Sequence, residues 1–146
     1  MLSPTPLDLR YRPDLNVFTA RWLAGPDEAT TPGEYEAILR ATEARRTARW
    51  LFDVRRRPAT TDDSVRWITT QWLPRAAALL HPIRLCLAYL VPPVRAEHLH
   101  TDETLHAVMA AAYAPGQPFS LRIFTDEGEA MRWLLAQPAP EVAGQP

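Results

Sequence analysis

A run of arginines is the densest group of residues in the sequence that could do chemistry. Residues 45–57 hold six arginines against one acid, Asp53, for a local charge of +5. Guanidinium groups bind phosphate and carboxylate through paired hydrogen bonds. The last three arginines would follow a strand and precede a helix, where open α/β sheets bind anions; they are Arg55, Arg56 and Arg57. The segment is therefore a candidate anion- or partner-binding site, and the alternative is a solvated loop whose arginines pair with Asp62 and Asp63.

Two histidines and an aspartate follow one another at a spacing of four residues. On one continuous helix His98, Asp102 and His106 would share a face, and such a set can bind a metal ion. Thr101, however, has the character of a helix N-cap, which would separate His98 from the other two. We therefore expect no metal, and a metal-dependent enzyme built on these three residues is the alternative.

Nucleophilic catalysis has little support in the sequence. The serines are Ser3, Ser64 and Ser120, and none lies in a Gly-x-Ser-x-Gly motif. The single cysteine, Cys86, lies in an apolar segment where a buried, inert thiol is the usual outcome. All sixteen basic residues are arginine, which excludes a Schiff-base or P-loop lysine. We expect a protein that is not an enzyme and holds no cofactor.

Tryptophan is abundant, with five in 146 residues. Trp67 lies beside the apolar stripe of its predicted helix, which includes Trp72. A partly exposed Trp67 could line a groove for an apolar ligand or a partner helix. The alternative is a wide apolar face buried in the core.

Length and composition describe one compact domain. Apolar residues make up 47% and charged residues 23%, and the net charge of −1 is not that of a nucleic-acid-binding protein. The N-terminus lacks a secretory signal and no segment resembles a membrane span, so we expect a cytoplasmic protein without nucleic-acid partners. We place a flexible lead-in at 1–6, the domain at 7–136 and a disordered proline-rich tail at 137–146.

Hydrophobic periodicity predicts the element order β-β-α-β-α-β-α-β-α. The predicted strands cover residues 7–11, 16–22, 48–54, 83–91 and 119–124, and the helices cover 31–46, about 60–80, 101–113 and about 125–135. Alternation places Phe18, Ala20 and Trp22 on one face of the second strand. The first helix should turn Tyr35 inward and the third helix Leu105, Met109 and Ala112, and Thr125 should cap the last helix. The second helix has a stripe of Val65, Ile68, Trp72 and Leu79, and Pro74 should kink it. The fold class is therefore α/β, with a mixed five-stranded sheet opened by a β-hairpin and helices packed on it.

Three segments carry a family resemblance: the hairpin Leu9–Val17, the strand Arg49–Arg56 and the ending Phe124–Leu134. In order and spacing the chain resembles the anti-sigma-factor-antagonist (STAS) superfamily, and more closely the SpoIIAA-like STAS/SEC14-type proteins of bacteria. The resemblance implies a role in protein–protein regulation or in binding an apolar or nucleotide-like ligand.

The chain departs from the family at the phosphorylation segment. Phosphorylatable STAS proteins carry an Asp-Ser-Ser-Gly-like sequence where a strand meets the next helix, and residues 53–64 contain no Ser-Gly pair. Thr60 and Ser64 are the stand-ins that the resemblance offers.

These observations lead to two hypotheses. The first is a cytoplasmic regulatory module that binds another protein or a copy of itself through residues 53–72. The second is a carrier or sensor of an apolar, lipid-like small molecule, as the SEC14 side of the resemblance implies.

Overall fold

The computed structural model describes residues 7–23, 31–43, 47–56 and 62–137. The chain opens with a β-hairpin of β1 (Leu7–Arg12) and β2 (Val17–Trp22), paired antiparallel. Asn16 closes the hairpin with a φ of 53°, a left-handed conformation that asparagine tolerates better than most residues. The predicted lead-in and nearly all of the predicted tail lie outside the described residues.

Three further strands extend the hairpin into a mixed five-stranded sheet, as predicted. They are β3 (Arg49–Asp53), β4 (Leu85–Leu90) and β5 (Phe119–Phe124). The spatial order is β1-β2-β3-β4-β5, and β2 to β5 run parallel. β4 is buried on both faces, which explains its unbroken apolar sequence.

The helices are divided unequally between the two faces of the sheet. The three crossovers between the parallel strands carry α1 (Thr31–Glu43), α2 (Asp62–Trp67) with α3 (Leu73–Leu80), and α4 (Pro93–Thr101) with α5 (Glu103–Ala112). Because every crossover steps in the same direction along the sheet, right-handed connections place these helices on one face. Their apolar residues form one core with the aromatic side chains of β2 and β3.

On the opposite face, α6 (Glu127–Ala136) is the helix that the described part of the chain provides. Ala130 and Leu134 of α6 pack on Leu51, Cys86 and Leu90 of the central strands. This second core is smaller, and the edge strands β1 and β5 show charged side chains on the same face.

The predicted second helix changes geometry in the middle. Between α2 and α3 lies a π-helical segment, Ile68–Trp72, in which the backbone N–H of Leu73 donates to the carbonyl of Ile68. Pro74 follows immediately; it has no N–H, and its ring would clash with the carbonyl four residues earlier in an α-helix. The wider π turn is the form that the predicted kink takes.

The π segment also corrects the predicted apolar stripe. Its extra residue rotates the buried face of α3, which runs through Leu73, Ala76, Ala77 and Leu80. Leu79, predicted to face inward, is 41% exposed.

Several predicted element ends are also corrected. Helix α4 was not predicted, and the N-cap of α5 is Asp102, whose carboxylate accepts from the N–H of Leu105, and not Thr101. Asp126, and not Thr125, caps α6 in the same way. β4 begins at Leu85 because the N–H of Ile83 still bonds to Leu80 in the preceding turn.

None of the described helices has both the length and the apolar character that are needed to cross a membrane.

Candidate functional site

A pocket opens between the helix-covered face of the sheet and the helices above it. Its floor comes from the carboxyl-terminal parts of β3, β4 and β5 and the residues that follow them: Val54, Tyr89, Val91, Leu121 and Ile123. The N–H of Val54 bonds to the carbonyl of Leu90, and that of Val91 to Phe124, so the ladder holds the floor beyond the strand ends. With strands in sequential order, the parallel part of the sheet has no reversal point that would make a crevice at its edge. The space for a ligand lies instead between the sheet and its helices.

The cavity is small. Its volume is about 60 Å³, against the ~10–15 Å³ that one water molecule needs. It therefore has room for about four to six atoms of carbon or oxygen size. Anything larger must extend through the open side.

The π segment supplies one wall. Ile68 and Thr69, 7% and 6% exposed, both line the cavity, next to Val65 of α2. The hydroxyl of Thr69 donates to the carbonyl of Val65 at 3.0 Å, so it is hydrogen-bonded within its own helix. π turns within helices occur frequently at functional sites. Here the irregular turn is part of the pocket wall.

Two tyrosines provide hydroxyl groups at the cavity. Tyr35 of α1 and Tyr89 of β4 both line it, and their hydroxyl oxygens are 2.6 Å apart in a hydrogen bond. The ring of Tyr35 lies edge-on to that of Trp72, with centroids 4.7 Å apart, and also contacts Trp22, Phe52 and Trp67. These contacts fix the orientation of the ring, so the hydroxyl pair is held in place.

Arg95 supplies the charge. It lies in the first turn of α4, is half-buried, and is the one charged side chain among the described residues that line the cavity. Leu99, one turn later on α4, and Met109 of α5 complete the apolar wall on this side. The site is thus an apolar pocket with a guanidinium group and two tyrosine hydroxyls.

Arg55, from the arginine run after β3, takes part in an ion-pair network outside the pocket. Arg55 donates to both carboxylate oxygens of Asp53 at 2.9 Å and to Glu127 at 3.1 Å, so its partners differ from the predicted Asp62 and Asp63. Arg21 of β2 joins the same cluster, 2.6 Å from Asp53 and 3.0 Å from Glu127. The network ties the first turn of α6 to the ends of β2 and β3.

Charge pairing sets the titration of this network. Burial alone would raise the pKa of Asp53, but hydrogen bonds from Arg55 and Arg21 outweigh it and hold that pKa below its ordinary value. Glu127 raises the pKa of Arg21, and Asp53 raises that of Arg55. Asp53, Arg21 and Arg55 are therefore charged near neutral pH.

Other predicted site residues fall into different surroundings. Arg56 is exposed beyond the end of β3. Ser64 and Trp67 are half-buried on α2, and the ring of Trp67 lies 6.0 Å from that of the pocket residue Tyr35. Arg57 and Thr60 lie outside the described residues.

The histidines do not assemble with a carboxylate. His98 and His106 are exposed on α4 and α5, and Asp102 between them caps α5. Across residues 7–23, 31–43, 47–56 and 62–137, no three side chains of the metal-binding types converge on one point. Cys86 is buried on the other face of the sheet, where burial raises the pKa of its thiol.

Sequence reasoning pointed to residues 53–72 and missed the rest of the pocket. Tyr35, Tyr89 and Arg95 carry its polar groups, and the first two had been assigned only to the core or to a strand. A tyrosine interrupting the apolar β4 was the available signal.

The fold and pocket together define an α/β domain with a mixed sheet, helices mainly on one face and a small apolar cavity beneath them. Comparison of the chain with protein-family models, curated proteins and solved structures finds no match. The resemblance to SpoIIAA-like STAS domains therefore stays a prediction.

Proposed function

We propose that this domain binds a small, predominantly apolar molecule in the pocket and serves as its sensor or carrier. The observation that supports this function best is the cavity itself, whose walls come from α1, the π segment, α4 and α5 and whose floor is the sheet. Ligand sites have this character: mostly apolar walls with a few fixed polar groups. The second hypothesis from the sequence, the SEC14-like one, is the closer of the two to this geometry.

Burial of the ligand against the apolar walls does not by itself supply enough free energy for binding. Burying about four alkyl carbons contributes ~3 kcal/mol at ~0.8 kcal/mol for each CH₂. Association costs at least ~4 kcal/mol in lost translational and rotational freedom. Polar groups at the cavity must therefore add to the binding free energy.

Native mass spectrometry of freshly purified protein tests the proposal. We expect an adduct of metabolite mass that disappears on denaturation. Leu99→Trp fills the cavity and should abolish the adduct, whereas Leu79→Trp adds the same bulk on the exposed side of α3 and should keep it. The proposal would be wrong if wild type carries no adduct and if no small apolar molecule raises the Tm of wild type more than it raises the Tm of Leu99→Trp.

A regulatory interaction module remains a second candidate. Residues 53–72 provide pocket walls through Val54, Val65 and Ile68, and they also present Arg56 and Arg66 to solvent. A partner, or a second copy of the chain, bound at this surface could respond to an occupied pocket.

Self-association can be tested by sedimentation. If copies pair through this surface, wild type sediments as a dimer, Arg56→Glu as a monomer and Arg122→Glu, on the other side of the sheet, as a dimer. A monomeric wild type would contradict this arrangement.

A further inference from the structure

We infer that the ligand of this pocket is a small monocarboxylic acid with a short alkyl chain, whose carboxylate is bound by Arg95. This inference rests on the proposed function and specifies the chemical class of its ligand. No other described residue that lines the cavity carries a charge. A guanidinium group matches a carboxylate with two parallel hydrogen bonds.

The position of Arg95 on α4 favours an anion. The first turn of a helix carries a partial positive charge, and an acidic residue there is stabilising. The first turn of α4 has no acidic residue, and Arg95 adds a positive charge to that of the helix end. A ligand carboxylate beside Arg95 would interact favourably with the guanidinium group and with the helix end.

The donors near this helix end select a carboxylate over a phosphate. A phosphate is typically held by several backbone N–H groups together. Here Pro92 and Pro93 have no N–H, and the N–H groups of Arg95 and Ala96 both bond to the carbonyl of Pro92, at 3.0 and 3.1 Å. One guanidinium group with two tyrosine hydroxyls fits a single negative charge.

The cavity sets the size of the apolar part. A volume of about 60 Å³ takes about four to six atoms of carbon or oxygen size. A chain of about four alkyl carbons fills it with the carboxylate at Arg95. A long fatty acid would leave most of its chain in water.

Isothermal titration calorimetry with three matched probes tests the inference. The probes are 3-methylbutanoate, its neutral amide 3-methylbutanamide, and inorganic phosphate. In wild type we expect the acid to bind at least about tenfold more tightly than the amide, since a charged hydrogen-bonded pair is worth about that much. Phosphate should show no binding.

Variants test whether Arg95 causes the difference in affinity between the acid and the amide. Arg95→Gln should lower the affinity for the acid about tenfold or more and leave the affinity for the amide unchanged. Arg95→Lys keeps the charge without the paired geometry and should fall between the two. Arg122→Gln removes one charge from the other face of the sheet and should match wild type.

Three results would overturn the inference. They are equal affinity of wild type for acid and amide, equal weakening of both by Arg95→Gln, and phosphate binding as tightly as the acid. If the amide binds wild type but not Leu99→Trp, the proposed function stands while the carboxylate inference fails. If neither probe binds, the inference fails and the native mass spectrum decides the proposed function.

Discussion

The hydroxyl groups of Tyr35 and Tyr89 meet at 2.6 Å, although 54 residues separate them in the chain. The contact joins α1 to the central strand β4 at the wall of the pocket. It places a polar pair among apolar and aromatic groups, where an unmatched hydroxyl is costly.

Replacing Tyr89 with phenylalanine removes one half of this pair. Tyr89→Phe should lower the free energy of unfolding by about 1 kcal/mol, since Tyr35, only 3% exposed, loses this partner. Urea unfolding followed by tryptophan fluorescence measures the change. Tyr113→Phe, at a side chain that is 47% exposed, is the matched control and should leave the unfolding midpoint in place. Equal effects of the two variants would mean that the contact contributes nothing.

The ion pairs of Asp53 should make the stability of the protein depend on pH in the acidic range. Because the pKa of Asp53 is lower in the folded state, its contribution is present above the ordinary aspartate pKa of ~3.9 and is lost as the pH falls through the folded value. Asp53→Asn should destabilise the protein at pH 7 by about 2–3 kcal/mol and flatten the fall in stability below pH ~4.

Thermal unfolding between pH 2.5 and 7 measures both effects. Asp14→Asn removes a carboxylate from the fully exposed pair with Arg12 and should leave Tm unchanged at pH 7. Parallel pH profiles for wild type and Asp53→Asn would contradict the assignment to Asp53.

Adjacent arginines after β3 should respond differently to charge reversal. Arg55→Glu places a third carboxylate beside Asp53 and Glu127, and we expect Tm to fall by several degrees. Arg56→Glu changes an exposed side chain and should leave Tm within about one degree of that of wild type, because surface changes rarely alter stability. Differential scanning calorimetry distinguishes them, and identical values would show that the ion-pair network is not a structural tie.

The π segment predicts which deletion the helix tolerates. A π turn contains one residue more than the α turn it replaces, so deleting the exposed Gln71 should leave α2 and α3 in their present orientations, joined by a helical segment that is kinked at Pro74. Deleting the exposed Ala78 rotates Leu79 and the buried Leu80 at the end of α3 by about 100°. We expect cooperative thermal unfolding for the first variant and loss of it for the second.

The same deletion reports on the pocket. Without the wider turn, Ile68 and Thr69 leave their places in the wall, so the Gln71 deletion should lose the mass adduct while it stays folded. Retention of the adduct would show that the π geometry is not needed for the pocket.

Much of the architecture follows from the sequence by itself. Alternation in residues 16–22 predicted that Phe18, Ala20 and Trp22 share a face, and all three are buried there. The stripe Leu105, Met109 and Ala112 of α5 was predicted in the same way and is buried. These features depend on the period of a single strand or helix, which is local information, and the order of elements then leads to the mixed sheet.

The pocket and the ion pairs were decided only by the tertiary structure. Arg55 pairs with Asp53 and with Glu127, which lies 72 positions away in the sequence, in place of the Asp62 and Asp63 that local reasoning offered. The π segment depends on Pro74 together with the face that α3 must bury, so periodicity alone misplaced Leu79. The pocket combines Tyr35, Tyr89 and Arg95 from three separate elements. The periodicity of a single element does not predict that these residues come together, because their proximity depends on how the helices pack on the sheet.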